Sequence, residues 1–283
     1  MTPTAPARQA VAVGLTGWRL PVAGTAVLEL AAGLGADGVQ LDLGGPGRGE
    51  PLDAPGTVEA LRERSAATGV VLLGVAANTL NDIGLTAPAG GVDARRVRDT
   101  VVRLLDTAHA LGAPLAFVPS FRRSAIDGSE ALRRTAEVLA WAAAEATSRG
   151  LVLANENVLD AARAVELVEG VGSPAFRLLL DTYNPHAAGI DTVGLIAGAG
   201  RHFADQVHVK DGLGGADGTV PLGAGDGNVE AVLAATARHR VGVRTLVLEN
   251  DYRDGDTVRL ATDIAWARRQ AKTLTARLNE VDE

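Results

Sequence analysis

The chain has no cysteine among its 283 residues. That absence removes disulfides, thiolate metal sites and cysteine nucleophiles together, and it is neutral about compartment. Aromatic side chains make up only 3%, so Ala, Gly, Val and Leu must do most of the packing within a hydrophobic fraction of 47%. Short and branched side chains of that kind suit parallel strands buried on both faces. Lysine is almost missing too: Lys210 and Lys272 are the only two, a bias that reads as codon usage. No run approaches the roughly 20 apolar residues that a membrane span needs. Residues 1–10 are small and polar, without the apolar core of a secretory signal. The expectation is a soluble, cytoplasmic protein with a disordered extension at 1–10 and one catalytic domain over 11–283. A formal net charge of −7 has the wrong sign for a chain that tracks a phosphate backbone, which argues against nucleic acid as a partner.

Short apolar runs alternate with longer amphipathic stretches along the whole length. The strand candidates are Val11–Thr16, Gly38–Leu43, Val70–Ala76, Pro114–Pro119, Leu151–Glu156, Arg177–Asp181, Gln206–Val209 and Arg244–Glu249. Each is rich in Val and Leu without strict alternation, the pattern of strands covered on both faces. Between them, Val97, Val101, Leu104, Leu105, Ala108 and Leu111 form one helical stripe, with a stop at Gly112. Leu132, Val138, Leu139 and Trp141 belong to another, ending at Gly150. Asp93, Asp160 and Asp191 stand where N-caps belong, and Gly35, Gly69, Gly112, Gly150 and Gly172 follow helix ends, where a left-handed residue is favoured. Strand–helix alternation of this length, without a composition shift, predicts a single-domain (β/α)8 TIM barrel, an α/β fold that typically takes about 250 residues. The Gly-rich stretch Gly212–Asn228 reads either as a flexible crossover or as a lid or phosphate cradle. The last helix, Asp256 to about Leu278, is expected to cover the barrel or pack on a second copy, so a homo-oligomer stays open.

Active sites of such barrels lie at the C-terminal ends of the strands, so the strand-terminal polar residues carry the functional signal. The fifth strand ends in Leu-Ala-Asn-Glu156 and the sixth in Leu-Leu-Leu-Asp181. The seventh carries Gln-Val-His208-Val-Lys-Asp and the eighth Leu-Val-Leu-Glu249. Each follows a buried run directly, where an unpaired charge would cost several kcal/mol. Three carboxylates converging with an imidazole would raise each other's pKa. A divalent cation removes that conflict, and the oxygen-rich donor set suits Mn²⁺, with Mg²⁺, Co²⁺ or Zn²⁺ also fitting. For any one of these residues alone, a structural ion pair is a competing explanation; the set of four is the specific signal.

These stretches, together with Pro-Leu-Gly-Ala-Gly-Asp-Gly at 221–227, resemble the xylose isomerase-like TIM-barrel superfamily in its sugar phosphate isomerase/epimerase branch, close to the ketose 3-epimerases. The resemblance spans roughly residues 11–270, with its motifs concentrated after residue 150. It implies that Glu156 and Glu249 act as an acid/base pair, one removing the proton beside a carbonyl and the other returning it from the opposite face. It also implies that the metal polarises the carbonyl and stabilises an enediolate. The substrate class implied is a ketose, inosose or related polyol ketone. Two departures stand out. Many relatives carry His three residues after the sixth-strand Asp, where this chain has Asn184, with His186 two residues later; many also carry Glu where this chain has Gln40. The extra histidines with which DNA-repair endonucleases of the superfamily hold further zinc ions are absent.

Trp18, Gln40, Asn78, Asn184, His186 and Lys210 are the candidate substrate contacts. Asn155 and Asn157 flank Glu156 and could orient a ligand, and Arg122 and Arg123 could clamp an anionic substrate. His109, His202 and His239 read as structural or exposed, and Trp141 and Trp266 as core or interface. Three other activities share the parts. A lyase or dehydratase begins with the same proton removal, a Schiff-base aldolase would use Lys210, and a non-catalytic sugar-binding subunit would use only the pocket.

Overall fold

The computed structural model describes residues 10–280. Of the extension expected at 1–10, residues 1–9 lie outside the described residues, and Ala10 is exposed coil. Eight strands form one closed parallel barrel: β1 (Ala12–Thr16), β2 (Gly38–Asp42), β3 (Val71–Ala76), β4 (Leu115–Pro119), β5 (Val152–Glu156), β6 (Phe176–Asp181), β7 (Phe203–Val209) and β10 (Thr245–Leu248). Their order around the ring is β1-β10-β7-β6-β5-β4-β3-β2, which is the single-domain (β/α)8 arrangement expected from the sequence. A two-stranded antiparallel hairpin, β8 (Gly212–Leu213) and β9 (Ala216–Asp217), interrupts the last crossover. Closure leaves the barrel sheet itself without an edge strand to pair with a neighbour. Among the described residues, no helix is long and apolar enough to cross a membrane.

The helices follow their stripes. The helix α4 (Val92–Leu111) buries all six residues of the predicted face, and Gly112 closes it at φ 72°. At the start of α6 (Ala161–Val171), Asp160 accepts a hydrogen bond from Arg163 N at 2.9 Å, as its N-cap position predicts. Asp191 occupies the N-cap of α8 (Thr192–Ala199) without a side-chain bond. Asp93 is not an N-cap: α4 begins one residue earlier, after Gly91. Its carboxylate sits in the first turn instead, where it faces the positive end of the helix dipole and pairs with Arg96 and Arg123 at 3.0 and 3.1 Å. The strand β7 starts at Phe203, ahead of the predicted Gln206, because exposed Asp205 breaks its apolar run. The final helix α10 (Thr257–Glu280) covers the barrel, burying Leu260, Ile264, Trp266, Ala267, Ala271, Leu274 and Leu278.

One irregularity in the ring matters for the site. Between β2 and β3 the register slips, so that Val39 pairs with Leu72 and Gln40 with Gly74, leaving Leu73 without a partner. A bulge of this kind re-aims the residue it frees. The Leu73 side chain fills space that Gly14 and Gly38 leave open inside the barrel: a Cβ on Gly38 would stand 2.7 Å from Leu73 Cγ and 2.8 Å from the Val71 carbonyl oxygen. Because one of those neighbours is backbone, Gly38→Val should destabilise the protein by about 1–3 kcal/mol, as overpacking does. Urea unfolding checks this, and an unchanged midpoint would show that the strand shifts to absorb the methyl groups.

Candidate metal centre

Parallel strands in register carry their last residues to a common level. Glu156 ends β5, Asp181 ends β6, His208 stands one residue before the end of β7, and Glu249 follows β10 directly. Asp181 and His208 are direct neighbours across the β6–β7 pair, and His208 faces Val247 across the next. All four are buried, with His208 fully enclosed. Each offers one ligand atom within 4.8 Å of the others. That spread is close to what one dication gathers with ligands at about 2.0–2.2 Å.

Each carboxylate has one oxygen held by the protein and one left free. Glu156 Oε1 accepts from Asn184 Nδ2 at 2.9 Å, and Glu249 Oε1 from Trp18 Nε1 at 3.0 Å. Asp181 Oδ1 accepts from the backbone N–H groups of Tyr183 and Asn184 at 2.7 and 2.6 Å. The opposite atoms Asp181 Oδ2 and Glu249 Oε2, and His208 Nδ1, are buried without a hydrogen-bond partner. Lys210 Nζ lies 2.9 Å from Glu249 Oε2, but not in the alignment of a hydrogen bond. A buried unsatisfied group costs about 1–3 kcal/mol, and here such groups gather at one point. The donor set therefore fits a divalent cation held by Glu156, Asp181, His208 and Glu249.

The imidazole is oriented from behind. Gln206 Nε2 donates to the Leu73 carbonyl at 2.8 Å, and Gln206 Oε1 accepts from Gln40 Nε2 at 2.9 Å. Gln40 Oε1 then stands 2.7 Å from His208 Nε2. A backbone carbonyl can only accept, so the bulged Leu73 sets the direction of the whole chain. His208 must donate from Nε2, which points Nδ1 at the carboxylates. Gln40, fully buried, thus sits behind the imidazole rather than on the cavity wall where a substrate contact was expected.

Electrostatics without a cation show how charged the spot is. Burial works to lower the His208 pKa, yet the Glu249 and Glu156 carboxylates push it up to about 10. Burial raises Asp181 to about 6, against the pull of Lys210. Glu249 is held well below the usual carboxylate range, since Lys210 and His208 outweigh the opposing effect of burial. Lys210 itself is raised: burial opposes its charge, but Asp181 and Glu249 more than restore it. A Schiff base needs a neutral amine, so this environment runs against the aldolase reading. The partners of Lys210 are Glu249, Asp181, Asp217 and Asn184 Oδ1.

The cluster opens into a cavity of about 770 Å³ at the barrel mouth. Trp18, Asn78, Asn184 and Lys210 line it, as do Glu156 and Glu249. His186 does not: it is exposed, packs on Tyr183, and stands 3.4 Å from Asp226. Asn155 is fully buried and donates to Val118 O and Ser120 Oγ, while Asn157 donates back to Asn155; both brace strand ends and touch no ligand atom. Arg122 lines the cavity, whereas Arg123 is drawn away to Asp93 and the Asp82 carbonyl. Of the remaining histidines, His109 is exposed on α4 and His202 contacts Arg201. Trp141 lies beneath Arg98, and Trp266 is buried.

The Gly-rich loop is organised from inside. The Asp211 carboxylate accepts from the N–H groups of Gly212, Gly223, Gly225 and Gly227 at 2.9–3.2 Å. A Cβ on Gly225 would stand 2.3 Å from Asp211 Oδ1, so glycine is required for that approach. These amides are therefore engaged already and form no phosphate cradle. Sequence reasoning missed this role of Asp211, and it missed Arg48, which lines the cavity. The run Gly-Gly-Pro-Gly-Arg48-Gly just after β2 was the available signal for Arg48: a lone charge among glycines at the active end of a strand.

Comparison with known proteins agrees with the architecture. The family model described as xylose isomerase-like TIM barrel matches residues 28–270. A 2-epi-5-epi-valiolone 7-phosphate 2-epimerase from Actinoplanes sp. is 52% identical over 259 residues, covering 92% of this chain and 94% of that protein. Among solved structures, an L-ribulose 3-epimerase superposes with a TM-score of 0.77 at 18% identity, over 96% of this chain and 98% of the other. A D-allulose 3-epimerase from Methylomonas sp., solved in complex with D-allulose, gives 0.71 at 15% identity, over 93% and 98%. At such identities the two structures show a shared fold.

Two outcomes follow from the geometry. Gln40→Leu removes the acceptor of His208 Nε2, so affinity for Mn²⁺ should fall about 10–100-fold, the usual effect of losing a ligand's outer partner. Calorimetric titration reads this, and unchanged affinity would remove the orienting role. In addition, His208 carries a proton on Nδ1 below about pH 10 in the metal-free protein. Loading a cation at mildly alkaline pH must expel it, so affinity should weaken as pH falls and proton release should accompany binding. Titrations in buffers of different ionisation enthalpy measure that release.

Proposed function

Because this chain belongs to the xylose isomerase-like TIM barrel family, we propose that it is a divalent-metal-dependent epimerase of a phosphorylated polyol ketone. The observation that carries the reading is the buried meeting of Glu156, Asp181, His208 and Glu249, with unpaired donor atoms gathered together. The substrate class rests on the relative at 52% identity, whose name specifies a phosphorylated valiolone. Mn²⁺ is the preferred cation for this donor set, and Mg²⁺, Co²⁺ or Zn²⁺ are compatible with it.

When bound, the cation would polarise the substrate carbonyl and its neighbouring hydroxyl. The protein's own groups supply the proton steps. Glu156 and Glu249 line the same cavity from β5 and from the end of β10, which β6 and β7 separate around the ring. One carboxylate takes the proton from the carbon beside the carbonyl, and the other returns it to the opposite face. Asn184 fixes Glu156 and Trp18 fixes Glu249, each through the oxygen turned from the shared point. Held rotamers of this kind keep a base in line with the proton it must reach. Asn184, Asn78, Trp18 and Lys210 are the proposed substrate contacts, since all line the cavity. Lys210 provides a fixed positive charge toward a developing oxyanion.

Incubating the metal-loaded protein with 2-epi-5-epi-valiolone 7-phosphate in deuterium oxide should place deuterium at the inverted carbon, as read by NMR. Chelation should abolish exchange, and Mn²⁺ or Co²⁺ should restore it. Glu156→Gln and Glu249→Gln should each lower kcat by about 10²–10⁴-fold, the scale of acid–base catalysis, with metal content measured alongside. Loss of one water from the product by mass spectrometry would replace this reading with a dehydratase. Absence of exchange with this and other polyol ketones would refute it.

A further inference from the structure

The geometry points to Arg48 and Arg122, held side by side by Asp82, as the clamp for the substrate's phosphate group. Arg48 comes from the loop after β2 and Arg122 from the turn after β4, and both line the cavity that holds Glu156 and Glu249. Asp82 Oδ2 accepts from Arg48 Nε and Nη2 at 3.1 and 2.7 Å, while its Oδ1 lies 2.9 Å from Arg122 Nη2. Two guanidinium groups thus share one carboxylate, and each retains N–H donors for an anion. A planar fork of donors is the group best matched to phosphate oxygens. Asp42 lines the same cavity near Arg48, and its Oδ1 accepts from the Asn78 backbone N–H at 3.1 Å.

The backbone of Arg122 supplies a second, independent observation. It sits at φ 50°, in the left-handed region, although it is not glycine. Strain of this sort persists only where its surroundings impose it, and it gathers at functional positions. The surroundings here are explicit. Ser124 Oγ donates to Leu80 O at 2.7 Å and accepts from Leu85 N at 2.8 Å, and Phe121 N donates to Asn81 Oδ1 at 2.9 Å. The turn is therefore fastened on both sides of Arg122, and its side chain is delivered to Asp82 beside Arg48.

Other anion sites at the mouth are taken. The Gly-rich loop spends its amides on Asp211 and, at Gly214, on Asp226. Arg19 lies between Asp217 and Asp251, and Arg253 is paired with Asp251. Lys210 faces the metal-ligand carboxylates. Among the described cavity-lining arginines, Arg19 and Arg253 are matched by two carboxylates, Asp217 and Asp251, whereas Arg48 and Arg122 contact the single carboxylate of Asp82 between them. This inference rests on the proposed substrate class for what the phosphate is attached to.

The test is calorimetric binding to the metal-loaded protein, with sorbitol 6-phosphate, sorbitol and inorganic phosphate as probes. The wild type should bind sorbitol 6-phosphate tighter than either other probe. Arg48→Leu and Arg122→Gly should each weaken it by about tenfold or more, the loss of a charge-assisted hydrogen bond, and leave sorbitol unaffected. Glycine is at ease at φ 50°, so Arg122→Gly should keep or raise the Tm, and weaker binding cannot be blamed on unfolding. Unchanged binding in both variants would place the phosphate elsewhere and overturn the clamp. Inorganic phosphate binding as tightly as the sugar phosphate would overturn it in favour of a free-anion site. The deuterium exchange described above decides the epimerase reading separately: loss of exchange with retained, arginine-dependent phosphate binding would sink that reading alone.

Discussion

Three carboxylates and an imidazole pressed together at the mouth of an apolar barrel form an electrostatic conflict, and much of the surrounding structure is arranged to hold it in place. Glu156, Asp181 and Glu249 are each anchored through one oxygen, by Asn184, by backbone N–H groups and by Trp18. The anchors leave the other oxygens facing a common point, where burial strengthens charge interactions. Lys210 and a protonated His208 offset part of the negative charge, which is why burial alone does not decide the pKa of either group. A dication at that point would satisfy several buried atoms at once.

Precision at this point depends on structure that never reaches the cavity. The slipped register at Leu73 frees a carbonyl, and two glutamine amides carry its polarity across the barrel interior to His208. Each amide nitrogen and oxygen of the two glutamines has a partner in that chain, which rigidifies the core around the imidazole and leaves only His208 Nδ1 for the shared point. On the outer side, Asp211 gathers the amides of a glycine-rich loop and fixes it over Tyr183 and α10, where Asp263 accepts from Leu222 N, Asn250 and Tyr252. The loop serves as a wall of the site.

The two sides of the mouth differ in charge. Beside β1 and the β8–β9 hairpin, arginines and aspartates are matched. Beside β2 and β4, two arginines lean on one aspartate across a strained turn. A substrate with a polyol ketone at one end and an anionic group at the other would meet complementary surfaces in a single orientation. Such an asymmetry gives a symmetric barrel a reason to bind one way round.

The amino-acid sequence by itself determined the barrel and the four metal-site candidates. Hydrophobic period is a local property, and an acid directly after a buried run, as at Leu178–Asp181 and Leu246–Glu249, carries its own demand for a partner. Helix ends were legible for the same reason, except at Asp93, where α4 begins a residue before the expected cap. Only the tertiary structure decided that Gln40 turns inward to His208, that His186 leaves the site for Asp226, that Asp211 consumes the loop amides, and that Arg48 meets Arg122. Those outcomes depend on a register slip, on loop closure and on distant segments sharing one carboxylate. Such contacts are set by how the ring closes, and no periodicity in the chain encodes them.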